Sequence, residues 1–254
     1  MSYLDDLLAS TRRRVEVLKD SGADRVIDRV ANASPPRGFA TALKSHSPAL
    51  IAEIKRATPR GALKLELDVT EMAATYARGG AAAISVLTEP DYFQGSPADL
   101  AAATGAGLPV LCKDFIIDES QILDARATGA DAVLLIVRIL GDELEVLLRA
   151  VASTRMDALV EVHDANDLER AIDAGASLIG VNHRDLATFE LDPDRTAKLA
   201  PLMPGGATVV ALSGVIDRAD VERLVDAGAN AVLVGEALVT ALDPATKIAE
   251  LLGR

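Results

Sequence analysis

The sequence predicts a (β/α)8 barrel behind an N-terminal helical extension, on three observations. Eight short apolar runs alternate with helical segments over about two hundred residues. Four helical patterns end on a glycine at roughly fifty-residue spacing, and each is followed by an apolar run. Several runs exit into a charged or amide residue, as buried parallel strands do where they open on a shared functional rim. Even spacing without a dinucleotide-binding fingerprint favours the barrel over an open doubly wound sheet.

Residues 1–47 precede the first strand and read as the extension, within a single domain spanning residues 1–254. Their helical pattern runs from Tyr3 to Lys19 and contains Arg12, Arg13 and Arg14. On a helix three consecutive arginines point in different directions, so with Asp20 and Asp24 soon after they read as a solvated face. Arg37 and Phe39 are expected to pack against the barrel mouth. The first strand is Ala49 to Ile54, and Ala77-Arg78-Gly79-Gly80 ends the next helix before the run Ala82 to Leu87. Pro109 to Cys112 is the third strand; Ala127-Thr128-Gly129-Ala130 then leads into the fourth, Ala132 to Val137. Ala158 to Val162 is the fifth, and Asp173-Ala174-Gly175-Ala176 joins it to Leu178 to Val181. Thr208 to Leu212 and Ala231 to Val234 complete the set, with Asp226-Ala227-Gly228-Ala229 between them.

Composition narrows the function. With 38 acidic and 26 basic side chains the net charge is -12, which repels a polyanion, so no nucleic-acid partner is expected. Cys112 is the only cysteine, which excludes an internal disulfide and a cysteine-rich metal site; its thiol is read as core packing. No apolar stretch approaches the ~18 residues of a membrane span, and acids stand at Asp5 and Asp6 where a secretory signal carries basic charge. A cytoplasmic protein with no membrane partner is expected.

The strand exits carry the chemistry. In this fold the C-terminal strand ends form the active site, so Glu53, Lys55, Lys113, Glu161 and Asn182 should converge. Two acids and two lysines in one pocket can donate a proton at one atom and remove one at another. An ion-pair network that merely closes the barrel explains any single residue, but repetition on four strands favours catalysis. Ser213-Gly214 follows the seventh strand and Gly235-Glu236 the eighth, where such barrels bind phosphate through backbone N–H groups. The Gly235 amide is the main donor there, with the Glu236 side chain turned away. Phe93, Phe115 and Pro59, with Leu134, offer an apolar slot for a ring.

The runs Ile51-Ala-Glu-Ile-Lys-Arg-Ala-Thr-Pro-Arg-Gly61, Ser85-Val-Leu-Thr-Glu89, Tyr92-Phe-Gln-Gly-Ser96, Pro109-Val-Leu-Cys-Lys-Asp-Phe115, Leu159-Val-Glu-Val-His163 and Gly180-Val-Asn-His-Arg-Asp-Leu186 closely resemble the indole-3-glycerol phosphate synthase family of tryptophan biosynthesis. The resemblance spans nearly the whole chain. It implies a carboxy-lyase that closes 1-(2-carboxyphenylamino)-1-deoxyribulose 5-phosphate to an indole with loss of carbon dioxide and water, without a metal or organic cofactor. It implies Lys113 as general acid, Glu161 and Lys55 as candidates for the dehydration, and Glu53 as the residue that orients the lysines and substrate. Asn182 and Arg184 would bind polar substrate groups, Arg184 being suited to a carboxylate. Lys55, Ser213, Gly214, Gly235 and Glu236 would surround the phosphate. His163 and His183 are expected to be secondary, in packing or solvent roles. Protein partners and oligomeric state are left open.

One position departs from the family. Where Ser-Glu-Ser-Gly-Ile follows the seventh strand in the family, this chain has Ala211-Leu-Ser-Gly-Val215, so a substrate-facing glutamate is replaced by Leu212. The alternative reading is therefore a paralogue with impaired or altered chemistry, a phosphosugar isomerase or a non-catalytic phospholigand-binding protein. The Cys and Asp pair usual in the isomerase is not evident.

Overall fold

The computed structural model describes residues 3–20, 23–64 and 66–254; the side chains of residues 23–25, including the acid expected at Asp24, lie outside the described residues. Eight strands form the barrel: β1 Ala49–Ile54, β2 Ala83–Leu87, β3 Val110–Lys113, β4 Ala132–Ile136, β5 Asp157–Val162, β6 Leu178–Asn182, β7 Thr208–Leu212 and β8 Ala231–Val234. All pairings are parallel and sequential, and β8 returns to β1 with Leu233 opposite Ile51. The first, seventh and eighth predicted runs coincide with their strands, and the others differ by no more than a residue at an end. Ala82 and Pro109 fall outside, and Val137 begins a helix, because ladder hydrogen bonds rather than apolarity end a strand.

Alternation divides each strand between two cores. Ile51, Leu111, Leu134, Leu159, Val210 and Leu233 fill the barrel interior. Leu50, Ile84, Val133, Val160, Ile179 and Val232 face the surrounding helices. Cys112 belongs to the outer set, beside Thr88, and burial pushes its thiol up to about 12, which makes it inert packing. The inward phase reaches the C-terminal end at Glu53, Lys113, Glu161, Asn182 and Leu212. The helix-to-strand joints form as expected: Gly129, at φ 104, closes Glu119–Thr128 in a left-handed conformation, and Gly80, Gly175 and Gly228 hold the equivalent places.

The extension forms α1 Tyr3–Asp20, α2 Ala23–Asn32 and α3 Phe39–Lys44. Helix α1 lies beside the active rim: Tyr3 packs edge-on against Tyr92 and Phe189, and Arg14 places two guanidinium nitrogens 3.0 Å from the two oxygens of Asp114. Arg12 and Arg13 are exposed as expected, but Arg14 is not part of a solvated face. Its partner comes from the loop after β3, which a sequence-local reading cannot pair with it. Arg37 and Phe39 also depart from expectation, since they sit at the opposite end of the barrel from the mouth. The Arg37 amide and guanidinium bind Asp131, the Ala40 amide binds Asp157, and both acids stand at strand starts. Helix α3, with Phe39 and Leu43 fully buried, closes that end. Among the described residues no helix is long and apolar enough to cross a membrane.

Candidate active site

The C-terminal strand ends open into a cavity of about 480 Å³. Glu53, Lys55, Lys113 and Glu161 line it, and so do Asn182 and Arg184. Phe93, Phe115, Pro59 and Leu134 form part of the same wall, and Leu212, Ser213, Gly214, Gly235 and Glu236 another. All the side chains singled out for chemistry or substrate therefore share one space, as the C-terminal ends of parallel barrel strands require.

Glu53 is the electrostatic centre. It is 4 % exposed, with Oε1 3.0 Å from Lys55 Nζ and Oε2 3.8 Å from Lys113 Nζ. Burial pushes its pKa upward, but the charges of Lys55 and Lys113 and the Lys55 hydrogen bond outweigh this and hold it below the ordinary carboxylate range. The Tyr76 hydroxyl donates to the Glu53 carbonyl at 3.1 Å and fixes the backbone beneath the acid. Gly235 closes against this group: a Cβ there would collide with Glu53 Oε1 and stand 2.9 Å from Lys55 Nζ.

A second chain of hydrogen bonds crosses β5, β6 and β7. Ser213 Oγ donates to Asn182 Oδ1 at 2.9 Å, and Asn182 Nδ2 donates to Glu161 Oε1 at 3.0 Å. The Arg184 amide also donates to Asn182 Oδ1, at 3.0 Å. Ser213 adopts φ 68 and Gly214 φ 82, so the chain after β7 turns sharply at the cavity edge. Glu236 is exposed at the rim, and its charge acts on Arg184. Leu212 is 1 % exposed beside Asn182 in the ladder, and its side chain fills the space above Gly180 where a Cβ would meet Leu212 Cδ1 at 2.8 Å. It gives that part of the floor an apolar surface.

Phe93 and Phe115 face each other at 6.4 Å between ring centroids. The Phe93 loop is tied down by buried Glu89, which accepts from the amides of Asp91, Tyr92 and Phe93. His183 has a packing role: Nδ1 meets the Leu212 carbonyl at 3.0 Å and Nε2 the Thr196 hydroxyl at 2.9 Å, and burial lowers its pKa. His163 is buried behind Glu161 and does not line the cavity.

Arg60, Phe189 and Tyr3 are among the cavity residues that escaped the sequence reading. A short hairpin pairing Ala57–Thr58 with Gly61–Ala62 folds Arg60 over the opening, where Arg60 and Arg184 both donate to the Phe189 carbonyl, at 3.1 and 3.0 Å. Burial and the Arg60 charge both lower the Arg184 pKa from its very high ordinary value, yet the group stays cationic. Two guanidiniums facing one opening favour an anionic ligand. Phe189, at φ 60, and Tyr3 complete the rim. Arg60 stood in a recognised run, but nothing local showed that the loop turns back.

A family model described as indole-3-glycerol phosphate synthase matches residues 4–251. The chain is 48% identical to an indole-3-glycerol phosphate synthase of Roseiflexus sp. (strain RS-1) over a 259-residue alignment covering 96% of each chain. It is 46% identical to one from Parafrankia sp. (strain EAN1pec), covering 99% of this chain and 95% of that one. It is 47% identical to one from Mycolicibacterium vanbaalenii, covering 98% and 93%. Among solved structures, thiamine phosphate pyrophosphorylase from Pyrococcus furiosus superposes with a TM-score of 0.60 over 80% of this chain and 93% of that one, at 17% identity, a likeness of fold alone.

Proposed function

The chain belongs to the indole-3-glycerol phosphate synthase family, and from that premise we infer that it closes 1-(2-carboxyphenylamino)-1-deoxyribulose 5-phosphate to indole-3-glycerol phosphate, releasing carbon dioxide and water. It is a carboxy-lyase of tryptophan biosynthesis, acting on a phosphorylated small molecule. The observation that carries the residue assignment is the unequal hold of Glu53 on two lysines within one cavity.

Lys55 is engaged at hydrogen-bond distance, which suits it to orient the substrate and offer charge to the phosphate. Lys113 is held more loosely and can give up a proton. As the ring carbon bearing the carboxylate attacks the ketone, Lys113 protonates the ketone oxygen, so a carbon–carbon bond forms while the carbonyl π pair becomes a hydroxyl. Carbon dioxide then departs and leaves its electron pair to restore the aromatic ring. In the dehydration Glu161 protonates the departing hydroxyl, and the nitrogen lone pair drives out water before a proton leaves the adjacent carbon. Arg184 with Arg60 holds the carboxylate, Phe93 and Phe115 hold the ring, and the Ser213, Gly214 and Gly235 backbone receives the phosphate. These steps are proton transfers and bond cleavages that side chains carry alone.

Leu212 replaces a family carboxylate, and in this reading it forms an apolar floor that leaves Lys113, Glu53 and Glu161 untouched. We read residues 1–254 as a single barrel domain, with 1–47 as its extension, working in the cytoplasm; the buried, unpaired Cys112 supports that setting. The test is to incubate the purified protein with the substrate and follow indole fluorescence. Steady product formation, lost in Lys113→Ala, is expected. Full turnover by Lys113→Ala would remove Lys113 as the acid, and substrate binding without turnover in the intact protein would overturn the activity.

A further inference from the structure

We propose that His163 is a positioning residue for Glu161, a buried imidazole between two carboxylates that fixes the orientation of Glu161. The proposal rests on the reading of Glu161 as the proton-transferring group.

His163 follows β5 directly, and its side chain is 0 % exposed. Nε2 lies 3.4 Å from Glu161 Oε1 and Nδ1 lies 3.7 Å from Asp167 Oδ2. Among the described residues neither ring nitrogen has a hydrogen-bond partner. An imidazole always carries at least one N–H, and a buried donor without an acceptor is costly. His183 shows the contrasting case in the same protein, with both nitrogens satisfied by neutral groups. His163 instead faces an acid on each side, with Glu161 Oε1 near enough to Nε2 for a hydrogen bond but not aligned for one.

The surroundings hold the ring in that place. Asp167 accepts from the His163 backbone amide at 2.9 Å and from Arg138 Nε at 3.1 Å. Arg138, on the helix after β4, also binds Asp164 at 2.6 Å and Asp185 at 3.3 Å. The charged groups around His163 are thus Glu161 on its own strand, Asp167 on the following helix, and Arg138 behind Asp167 with Asp164 and Asp185. Arg138 balances Asp167, which leaves Glu161 as the carboxylate to which the imidazole responds. The same oxygen of Glu161 that faces His163, Oε1, receives Asn182 Nδ2 at 3.0 Å. An N–H at His163 Nε2 would give Glu161 Oε1 a second donor beside Asn182 and hold the carboxylate in one orientation.

Two amide replacements separate the ring nitrogens. In His163→Gln the amide nitrogen takes the place of Nε2 and still reaches Glu161; in His163→Asn it takes the place of Nδ1 and reaches only Asp167. The measurement is kcat, KM and the pH profile of kcat on 1-(2-carboxyphenylamino)-1-deoxyribulose 5-phosphate, with thermal melts of each variant and Glu161→Gln as reference. In His163→Asn kcat should fall about tenfold with KM nearly unchanged, while His163→Gln recovers most of the rate. The limb of the profile that Glu161→Gln abolishes should move by about half a pH unit or more in His163→Asn. If both amide variants lower the melting temperature and leave kcat and that limb unchanged while Glu161→Gln is inactive, His163 is only packing and the proposal falls alone. If Glu161→Gln turns over at full rate, the assignment of Glu161 falls and the proposal with it.

Discussion

Lys55 Nζ stands 3.0 Å from Glu53 Oε1, while Lys113 Nζ stays 3.8 Å from the other oxygen of the same carboxylate. One buried acid holds one lysine at hydrogen-bond distance and a second more loosely, which is what separate orienting and proton-donating roles require. Glu53→Gln removes that charge and leaves the two ammonium groups to repel, so kcat/KM should fall about a hundredfold in steady-state assays. The same substitution reports on acid stability. Glu53 is held below its ordinary value near 4.5, so on acidification the unfolded chain binds the proton first. Its contribution is complete above that value and is lost as pH falls towards the lower folded one. Urea midpoints between about pH 6 and pH 3 should drop less steeply in Glu53→Gln than in the parent, and equal slopes would contradict the ion-pair account.

His183 sets a second acid limb at higher pH. Burial depresses its folded pKa below the ordinary 6.5, so here too the unfolded chain takes the proton first. The stability of burying the ring neutral is present above that value and fades below it, a loss that the hydrogen bond to the Leu212 carbonyl only partly offsets. His183→Gln should flatten the change in urea midpoint between about pH 7 and pH 5, with little change in KM.

Arg14 and Asp114 fasten α1 to the loop that follows Lys113. Asp114 also accepts from the Thr88 hydroxyl at 2.9 Å and the Phe115 amide at 2.7 Å, so losing its cation strands a buried acid in that network. Arg14→Ala should cost about 2 kcal/mol. Hydrogen exchange should reveal the loss first across α1, with the barrel strands still protected; uniform deprotection would mean that the clamp is not local.

Gly235 admits the ion pair by having no side chain. A Cβ there would meet the Glu53 carboxylate and stand 2.9 Å from Lys55 Nζ and 3.1 Å from Lys55 Cε. Gly235→Ala should therefore move Lys55 off Glu53, with kcat down about a hundredfold and melting little changed, because the displaced groups border the cavity. An active Gly235→Ala enzyme would show that the pair can re-form elsewhere.

The barrel was legible because its signals are local and repeated. Gly129 and its counterparts mark helix ends, apolar runs mark buried strands, and the parallel strands of a closed barrel must bring Glu53, Lys113, Glu161 and Asn182 to one rim. What escaped depends on long-range closure. Arg14 finds Asp114 a hundred positions away, Arg37 and Phe39 go to the opposite end of the barrel because Asp131 and Asp157 hold them there, and Arg60 reaches Phe189 only when its hairpin folds over. The contrast between His163 and His183 was invisible for the same reason, since only the assembled structure shows which ring nitrogens find partners.

Leu212 makes the most direct test of how much this site needs a carboxylate after β7. Its side chain packs above Gly180 and beside Asn182, so a glutamate of similar length can enter with its acid near the cavity. Burying that acid should cost roughly 1–3 kcal/mol and lower the melting temperature of Leu212→Glu. In exchange the acid gives a substrate hydroxyl a charged acceptor, and KM should fall about tenfold with kcat changed less. The parent should already turn over, because Lys113, Glu53 and Glu161 keep their arrangement without it. A parent that binds substrate yet forms no indole product, beside a Leu212→Glu variant that does, would mean that the missing carboxylate belongs to the chemistry and that Leu212 has silenced the site.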